Sequence, residues 1–148
     1  MRPMKKLILA VAMLLTAGWL AAAELNWMTD YNAALAKAKK ENKLLFINFT
    51  GSDWCGWCKK LDAEVFSTDE FKSYAAKNLV MLFVDFPAKK ELSKEQKKAN
   101  DELKQKYGVR GFPTIVVLNG SGQKVFEKVG YMAGVDKWLD ALKEAKSK

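Results

Sequence analysis

The fold of this chain is decided by residues 49–59, which read FTGSDWCGWCK. The residues from Leu44 to Phe49 form a short run of bulky apolar side chains, which predicts a buried strand. A Gly-Ser-Asp turn ends this run, and the residues from Lys59 to Val65 have the composition of a helix. Cys55 is therefore predicted to lie at the first turn of a helix, where free N–H groups and the helix dipole stabilise a thiolate. Cys58 follows on the same face, within reach of Cys55.

These two cysteines are the only ones in the chain, and the chain has no histidine. A structural zinc ion takes four ligands, so one chain of this composition needs carboxylates or a partner to complete such a site. Cysteine-protease chemistry is excluded because no imidazole is present to act as the base. A purely structural disulfide is the remaining alternative, but a loop this small gains the least stability from a crosslink. The pair therefore favours redox chemistry.

The N-terminal residues have the three parts of a secretory signal peptide. Arg2, Lys5 and Lys6 precede an apolar run from Leu7 to Leu20, and three alanines at 21–23 follow it. We predict cleavage after residue 23, which leaves one domain, residues 24–148, in the periplasm or otherwise secreted. An uncleaved membrane anchor is the alternative, but the run is short for a span of about 20 residues.

The charge of the chain does not indicate a nucleic-acid partner. The formal charge of +8 falls to +5 when the three cations of the signal peptide are removed. The remaining Lys and Arg residues are mixed with acids and lack interleaved aromatic residues, a pattern typical of a solvated surface. We expect a monomer that binds no nucleic acid.

The rest of the chain has the pattern of an α/β domain. Helices are predicted over residues 30–42, 68–77, 93–106 and 134–146, and strands over 79–86, 115–118 and 124–129. The last two strands are separated by Asn-Gly-Ser-Gly at 119–122, which indicates a hairpin. No internal repeat or low-complexity linker interrupts this order.

Three stretches, in order, resemble the thioredoxin superfamily. Residues 54–59 (WCGWCK) are similar to its active-site motif, 106–114 (KYGVRGFPT) to the stretch that contains its cis-proline, and 128–130 (KVG) to its closing loop. The resemblance implies a thioredoxin fold: a central mixed β-sheet flanked by helices, with an extra helical segment before the cis-Pro strand. Residues 49–55 look most like exported bacterial thioredoxin-like proteins, and are also similar to the C-terminal domain of the periplasmic disulfide reductant.

The resemblance implies roles for individual residues. Cys55 is the expected nucleophile and Cys58 the resolving thiol, and their disulfide is the redox group, with no other cofactor and no metal. Pro113 is expected to be cis, which leaves the Phe112 backbone free to pair with an extended substrate. The implied substrate-binding residues are Trp54, Gly56, Trp57, Phe112, Pro113 and Gly130. Plain packing is an equally good interpretation of Trp54.

Two features depart from the family pattern. Asn48 stands where many members have a buried Asp that accepts the proton of the resolving cysteine, which leaves Asp53, Asp85 or water as acceptors. The dipeptide between the cysteines is Gly-Trp rather than Gly-Pro, and this dipeptide tunes the reduction potential. Since Trp57 adds no charge and no His stabilises the thiolate, we expect a reductase-like potential.

The predicted function is a thiol–disulfide oxidoreductase of the cell envelope that reduces or isomerises protein disulfides through a Cys55/Cys58 dithiol–disulfide cycle. Its expected partners are exported proteins with disulfides and a membrane or periplasmic electron donor. One alternative is a non-catalytic binding module that uses the groove around Pro113. Another is a Cu(I) site completed by Met81 and Met132, although isolated Met residues are more often core fillers.

Overall fold

The computed structural model describes residues 24–148, so the predicted signal peptide lies outside the described residues. The strands are β1 (Trp27–Met28), β2 (Leu44–Thr50), β3 (Leu79–Asp85), β4 (Thr114–Leu118) and β5 (Lys124–Val129). The helices are α1 (Tyr31–Glu41), α2 (Gly56–Leu61), α3 (Asp69–Asn78), α4 (Lys94–Lys106) and α5 (Val135–Lys146), and a π-helical turn (Asp62–Phe66) follows α2 directly.

The five strands form one mixed sheet in the order β1-β3-β2-β4-β5. Strands β1 and β2 both run parallel to β3, whereas β4 is antiparallel to β2 and β5 is antiparallel to β4. The predicted class, a mixed sheet flanked by helices with a further helix before β4, is confirmed. Because β2 and β3 are parallel and are joined through α2 and α3, the C-terminal ends of both strands lie at the same edge of the sheet. The cysteine pair lies at this edge.

Strand β2 is buried along its whole length because helices cover both faces of the sheet. Its side chains alternate between two cores. Phe46 packs with Leu61, Phe66 and Trp138 from the side of α2, α3 and α5, and Ile47 packs on the opposite side, against residues of α1 and α4. The continuous apolar run of the sequence follows from burial on both faces.

Capping residues explain where three of the helices begin and where α1 ends. Asp30, Thr68 and Ser93 each accept a hydrogen bond from a backbone N–H of the first turn of α1, α3 and α4, which satisfies a donor that the helix itself leaves unpaired. Asn42 ends α1 in the left-handed conformation, with φ of 53°. Among residues 24–148, no helix is both long and apolar enough to cross a membrane.

Two elements differ from the prediction. Strand β1 has two residues, and it forms because Trp27 and Met28 pair with the edge of β3. The helix predicted through Lys59 and Val65 changes at Asp62 into the π-helical turn. That turn places Val65 and Phe66 in the core, and π-helical turns occur often at functional sites.

Candidate active site

The two cysteines form a disulfide at the start of α2, with their Cα atoms 5.2 Å apart. Cys55 is the N-cap residue, and its Sγ accepts a hydrogen bond from the N–H of Cys58 at 3.2 Å. The Cys55 N–H in turn donates to the carbonyl of Gly51 at 2.9 Å. Each cysteine is only 6% exposed. In the reduced protein the same N–H would stabilise a Cys55 thiolate.

The loop before β4 contacts the cysteine loop, since the rings of Phe112 and Trp54 lie 5.8 Å apart. The Phe112–Pro113 peptide bond is cis, and Pro113 is buried. The carbonyl of Pro113 accepts a hydrogen bond from the N–H of Gly130 at 2.8 Å. Gly130 has a φ of 79°, a conformation that favours glycine, and open space lies where a side chain would be. The structure thus brings Phe112, Pro113 and Gly130 together as neighbours.

Trp54 connects the cysteine loop to the loop before β4. Its ring packs edge-on against Phe112 at 5.8 Å, and Phe112 packs against Phe86 at 5.3 Å. The indole Nε1 donates to the carbonyl of Phe86 at 2.7 Å, yet 50% of Trp54 remains exposed. Trp54 is therefore held in place by packing and still presents an apolar face to solvent, and its role in substrate binding stays a prediction.

Trp57 forms a second aromatic group on the other side. Its ring lies 5.3 Å from Tyr131, the neighbour of Gly130, and the Lys60 ammonium lies over both rings at 5.4 and 5.2 Å. Trp57 is 58% exposed. The Tyr131 hydroxyl donates to Glu64, and this hydrogen bond raises the pKa of Tyr131. Gly56, between the cysteines, is exposed, and an added Cβ there would meet nothing.

Asp53 has a role that the sequence analysis missed. Its carboxylate accepts hydrogen bonds from the backbone N–H groups of Ala88, Lys89 and Lys90 at 2.7 to 2.9 Å. These contacts, led by the one from Ala88, lower its pKa to about 2. Asp53 thus fastens the 86–93 loop, which joins β3 to α4, to the cysteine loop. The only sequence signal was an Asp in a turn, which is a common turn residue.

Asp85, the second predicted proton acceptor, is also occupied. Its buried carboxylate accepts hydrogen bonds from both the N–H and the hydroxyl of Ser52. Its backbone carbonyl accepts from Asn100 at 2.9 Å. Asp53 and Asp85 therefore shape the loops around the cysteines, and neither is among the residues that line the cavity behind Cys58. The cavity lining therefore favours neither of them, and the choice among Asp53, Asp85 and water as the acceptor stays a prediction.

Behind Cys58 lies a cavity of about 150 Å³, here called the Cys58 cavity. It is lined by Trp27, Asn48, Thr50, Ser52, Cys58, Lys59, Asp62 and Phe83. Asn48 is 6% exposed, and its Oδ1 has no hydrogen-bond partner among the described residues. Burial raises the pKa of the Asp62 carboxyl, while the nearby Lys72 acts in the opposite direction. The cavity thus brings together the resolving cysteine, a neutral amide and one acid.

The described residues offer no conventional metal site. Within 24–148, no group of three or more His, Cys, Asp and Glu side chains could hold an ion. Met81 is buried in the core, and Met132 packs against that core. Both Met residues that were considered as Cu(I) ligands therefore have packing roles.

Comparison with known proteins agrees with this geometry. The family described as a thioredoxin-like domain matches residues 31–146. "Disulfide bond reductase DsbH" of Chlamydia pneumoniae is 41% identical over 128 residues, which cover 84% of this chain and 76% of that protein. A solved structure titled "DsbH Oxidoreductase" is 39% identical, with a TM-score of 0.75 over 88% of this chain and 92% of that one. "Thiol:disulfide interchange protein DsbD" of Pasteurella multocida is 32% identical over 72% of this chain, but this spans only 18% of that protein.

Proposed function

Because this chain belongs to the thioredoxin superfamily and is a thiol–disulfide oxidoreductase of the Dsb type, we propose that it reduces protein disulfides in the cell envelope. In this proposal Cys55 is the attacking thiol and Cys58 the resolving thiol. The observation that carries it is the position of Cys55 as the N-cap of α2, where its sulfur accepts the Cys58 N–H. A sulfur held in this way is stabilised as the thiolate, which is the nucleophilic form.

The reaction has two exchange steps. In the first, the Cys55 thiolate attacks one sulfur of a substrate disulfide, the substrate S–S bond breaks, and the displaced thiolate takes a proton. In the second, the Cys58 thiolate attacks Cys55 Sγ, which forms the intramolecular disulfide and releases the second substrate thiol. Two electrons pass from the dithiol to the substrate. A dithiol donor must then reduce the Cys55–Cys58 disulfide, so the protein itself needs no other cofactor.

The surface around Cys55 supports a polypeptide substrate. Pro113 has no N–H, and in this proposal the backbone of Phe112 next to it pairs with an extended segment, in the manner of an added strand. The exposed faces of Trp54 and Trp57 lie to either side, and Gly130 leaves open space at the groove. Aromatic faces of this size favour apolar side chains that flank the substrate cysteine.

Two observations support the reducing direction. A relative that is 41% identical carries the name disulfide bond reductase. A strong oxidant requires a strongly stabilised thiolate, whereas this chain has no histidine and the nearby cation Lys59 reaches toward the carbonyl of Asp53 at 3.5 Å. The predicted signal peptide over residues 1–23 supports export, with exported disulfide proteins as substrates and an envelope dithiol protein as the electron donor.

Trapping of intermediates tests the assignment of the two cysteines. We expect Cys58→Ser to accumulate covalent mixed disulfides with a disulfide-containing protein, because the resolving thiol is missing. Cys55→Ser is the matched control and should accumulate few, since in this proposal Cys58 attacks Cys55 Sγ and not the substrate. Mass spectrometry of the adducts provides the measurement. Equal trapping by the two variants would contradict the assignment.

The reduction potential tests the direction. We expect equilibration of residues 24–148 in dithiothreitol buffers, followed by Trp fluorescence, to give a potential near the thioredoxin value of about −270 mV. A value near −120 mV, typical of a strong periplasmic oxidant, would refute the reducing direction. It would leave the roles of Cys55 and Cys58 intact.

A further inference from the structure

The second exchange step requires Cys58 to lose a proton, and the protein must supply an acceptor for it. A buried thiol gives up its proton less readily than an exposed one, and Cys58 is 6% exposed. Asn48, which lines the same cavity as Cys58, is an amide and accepts no proton. The carboxylates of Asp53 and Asp85 already accept hydrogen bonds from loop residues. Asp53 accepts from backbone N–H groups, and Asp85 accepts from Ser52.

Asp62 is the one acid among the residues that line the Cys58 cavity. It follows Cys58 by four residues, which places both on the same face of the helix, and its backbone N–H donates to the carbonyl of Cys58. The π-helical turn begins at Asp62. The helix thus changes its geometry at the residue that faces the cavity together with the resolving cysteine.

We propose that Asp62 is the proton acceptor for Cys58 in the resolving step, across the Cys58 cavity. This inference rests on the proposed role of Cys58 as the resolving thiol. The proton of the Cys58 thiol passes to the Asp62 carboxylate, the resulting thiolate attacks Cys55 Sγ, and the bond between Cys55 and the substrate sulfur breaks. The substrate leaves as a thiolate and takes a proton, and Asp62 returns its own proton to solvent.

The surroundings of Asp62 suit this task. Asp62 is exposed as a residue, so it exchanges protons with solvent after each turnover. Desolvation on the side of the cavity raises the pKa of its carboxyl, which makes it a better base than a fully solvated carboxylate. The charged groups that face it are Lys72 of α3, which opposes this shift, and Lys59, which lines the same cavity. Lys72 itself pairs with Glu24 at 2.9 Å.

Asn48 has a complementary part in the same cavity. Its Oδ1 is buried and has no hydrogen-bond partner among residues 24–148, so it offers a neutral acceptor beside Cys58. A volume of about 150 Å³ is enough for water to bridge polar groups. The amide therefore orients a thiol or a water in the cavity, whereas the charge that takes up the proton lies at its rim on Asp62.

Stopped-flow reduction of Ellman's reagent separates the two steps. With reduced protein in excess, attack by Cys55 releases the first nitrothiolate in a phase that depends on protein concentration. Resolution by Cys58 then releases the second in a phase that does not. An ordinary thiol with a pKa of about 8.5 is about 3% ionised at pH 7. We therefore expect Asp62→Asn to slow the second phase about 10- to 30-fold at pH 7 and to match the unmodified protein above about pH 9.5.

Control variants make the result specific. Glu70→Gln removes the same charge from the exposed start of α3 and should leave both phases unchanged, and Asp62→Glu should restore most of the second-phase rate. Asn48→Asp, added to Asp62→Asn, should also restore it because it returns an acid to the cavity. Should Asp62→Asn fail to fold by circular dichroism, Asp62→Ala replaces it in the same assay.

Two results would overturn the role of Asp62. One is an unchanged second phase in Asp62→Asn from pH 6 to 9, and the other is an equal loss at every pH, which indicates a merely structural effect. Failure of the proposed function itself gives a different result. In that case Cys58→Ser would keep both phases, or Cys55→Ser would keep the first.

Discussion

Replacement of Asn48 by Asp places a carboxylate in the Cys58 cavity with little change in shape. Asn48 is 6% exposed, and no described residue donates to its side-chain oxygen. Full burial raises the pKa of a carboxyl by up to about 3–5 units, and we take about 2–3 because Lys59 shares the cavity. At about 1.36 kcal/mol for each unit, the Asn48→Asp protein should lose about 3–4 kcal/mol of unfolding free energy once the group must ionise.

The pH at which this loss occurs follows from the direction of the shift. When the pKa of a group is higher in the folded protein than in the unfolded chain, the protein keeps its full stability at pH values below the unfolded-chain pKa, which is about 3.9 for Asp. The stability is lost as the pH rises through the folded value, about 6–7 for the shift assumed here. Asn48→Asp should therefore match the unmodified protein near pH 4 and show its full loss at pH 8.

Urea denaturation of the oxidised proteins at pH 4 and pH 8 measures this difference. Asn32→Asp, on the exposed first turn of α1, is the matched control, and its effect should vary little between the two pH values because the new carboxylate is solvated. An equal loss for Asn48→Asp at both pH values would refute the electrostatic reasoning, since it would identify a packing defect instead. No loss at pH 8 would mean that the cavity solvates a carboxylate as well as water does.

Two further substitutions test how the cysteine helix is held. Asp53→Asn should speed hydrogen exchange of the Lys89 and Lys90 amides about five- to tenfold, because a neutral amide accepts these hydrogen bonds more weakly than a carboxylate. In the unmodified protein, the same acceleration should begin only as the pH falls from 3.8 through about 2, and faster exchange already at pH 5 would contradict the assigned pKa. Leu61→Ala, at the fully buried end of α2, should lower the unfolding free energy by about 2–5 kcal/mol in urea denaturation. A loss below 1 kcal/mol would show that this site collapses around the cavity.

The elements that the sequence predicted are those whose signal is local. The run that became β2 is continuous because both faces of that strand are buried, and the turn before Cys55 has ordinary turn residues. The ends of α1, α3 and α4 follow from the capping residues Asp30, Thr68 and Ser93. In each case the residues that determine the element lie within it or next to it in the sequence.

The features that the sequence analysis missed depend on distant partners. Strand β1 has only two residues and exists through its pairing with β3. The donors to Asp53 lie 35 to 37 residues further along the chain. The π-helical turn has ordinary helical composition, and its geometry accompanies the burial of Val65 and Phe66. Asp62 is the exception, because its spacing of four from Cys58 is a local signal that points to the same helix face.

The proposed assignment of the acceptor to Asp62, with an amide at position 48, has a thermodynamic rationale. A carboxylate at position 48 would be a stronger base, but its burial would lower the unfolding free energy at neutral pH by about 3–4 kcal/mol. Asp62 lies at the rim of the cavity, where solvent relieves most of that desolvation, so its pKa rises without a comparable loss of stability. The resolving step then depends on a base whose strength is moderate and which Lys72 weakens further. The Asn48→Asp variant adds a second base that ionises only as the pH rises through about 6–7, so its rate of resolution should rise more steeply with pH over this range than that of the unmodified protein.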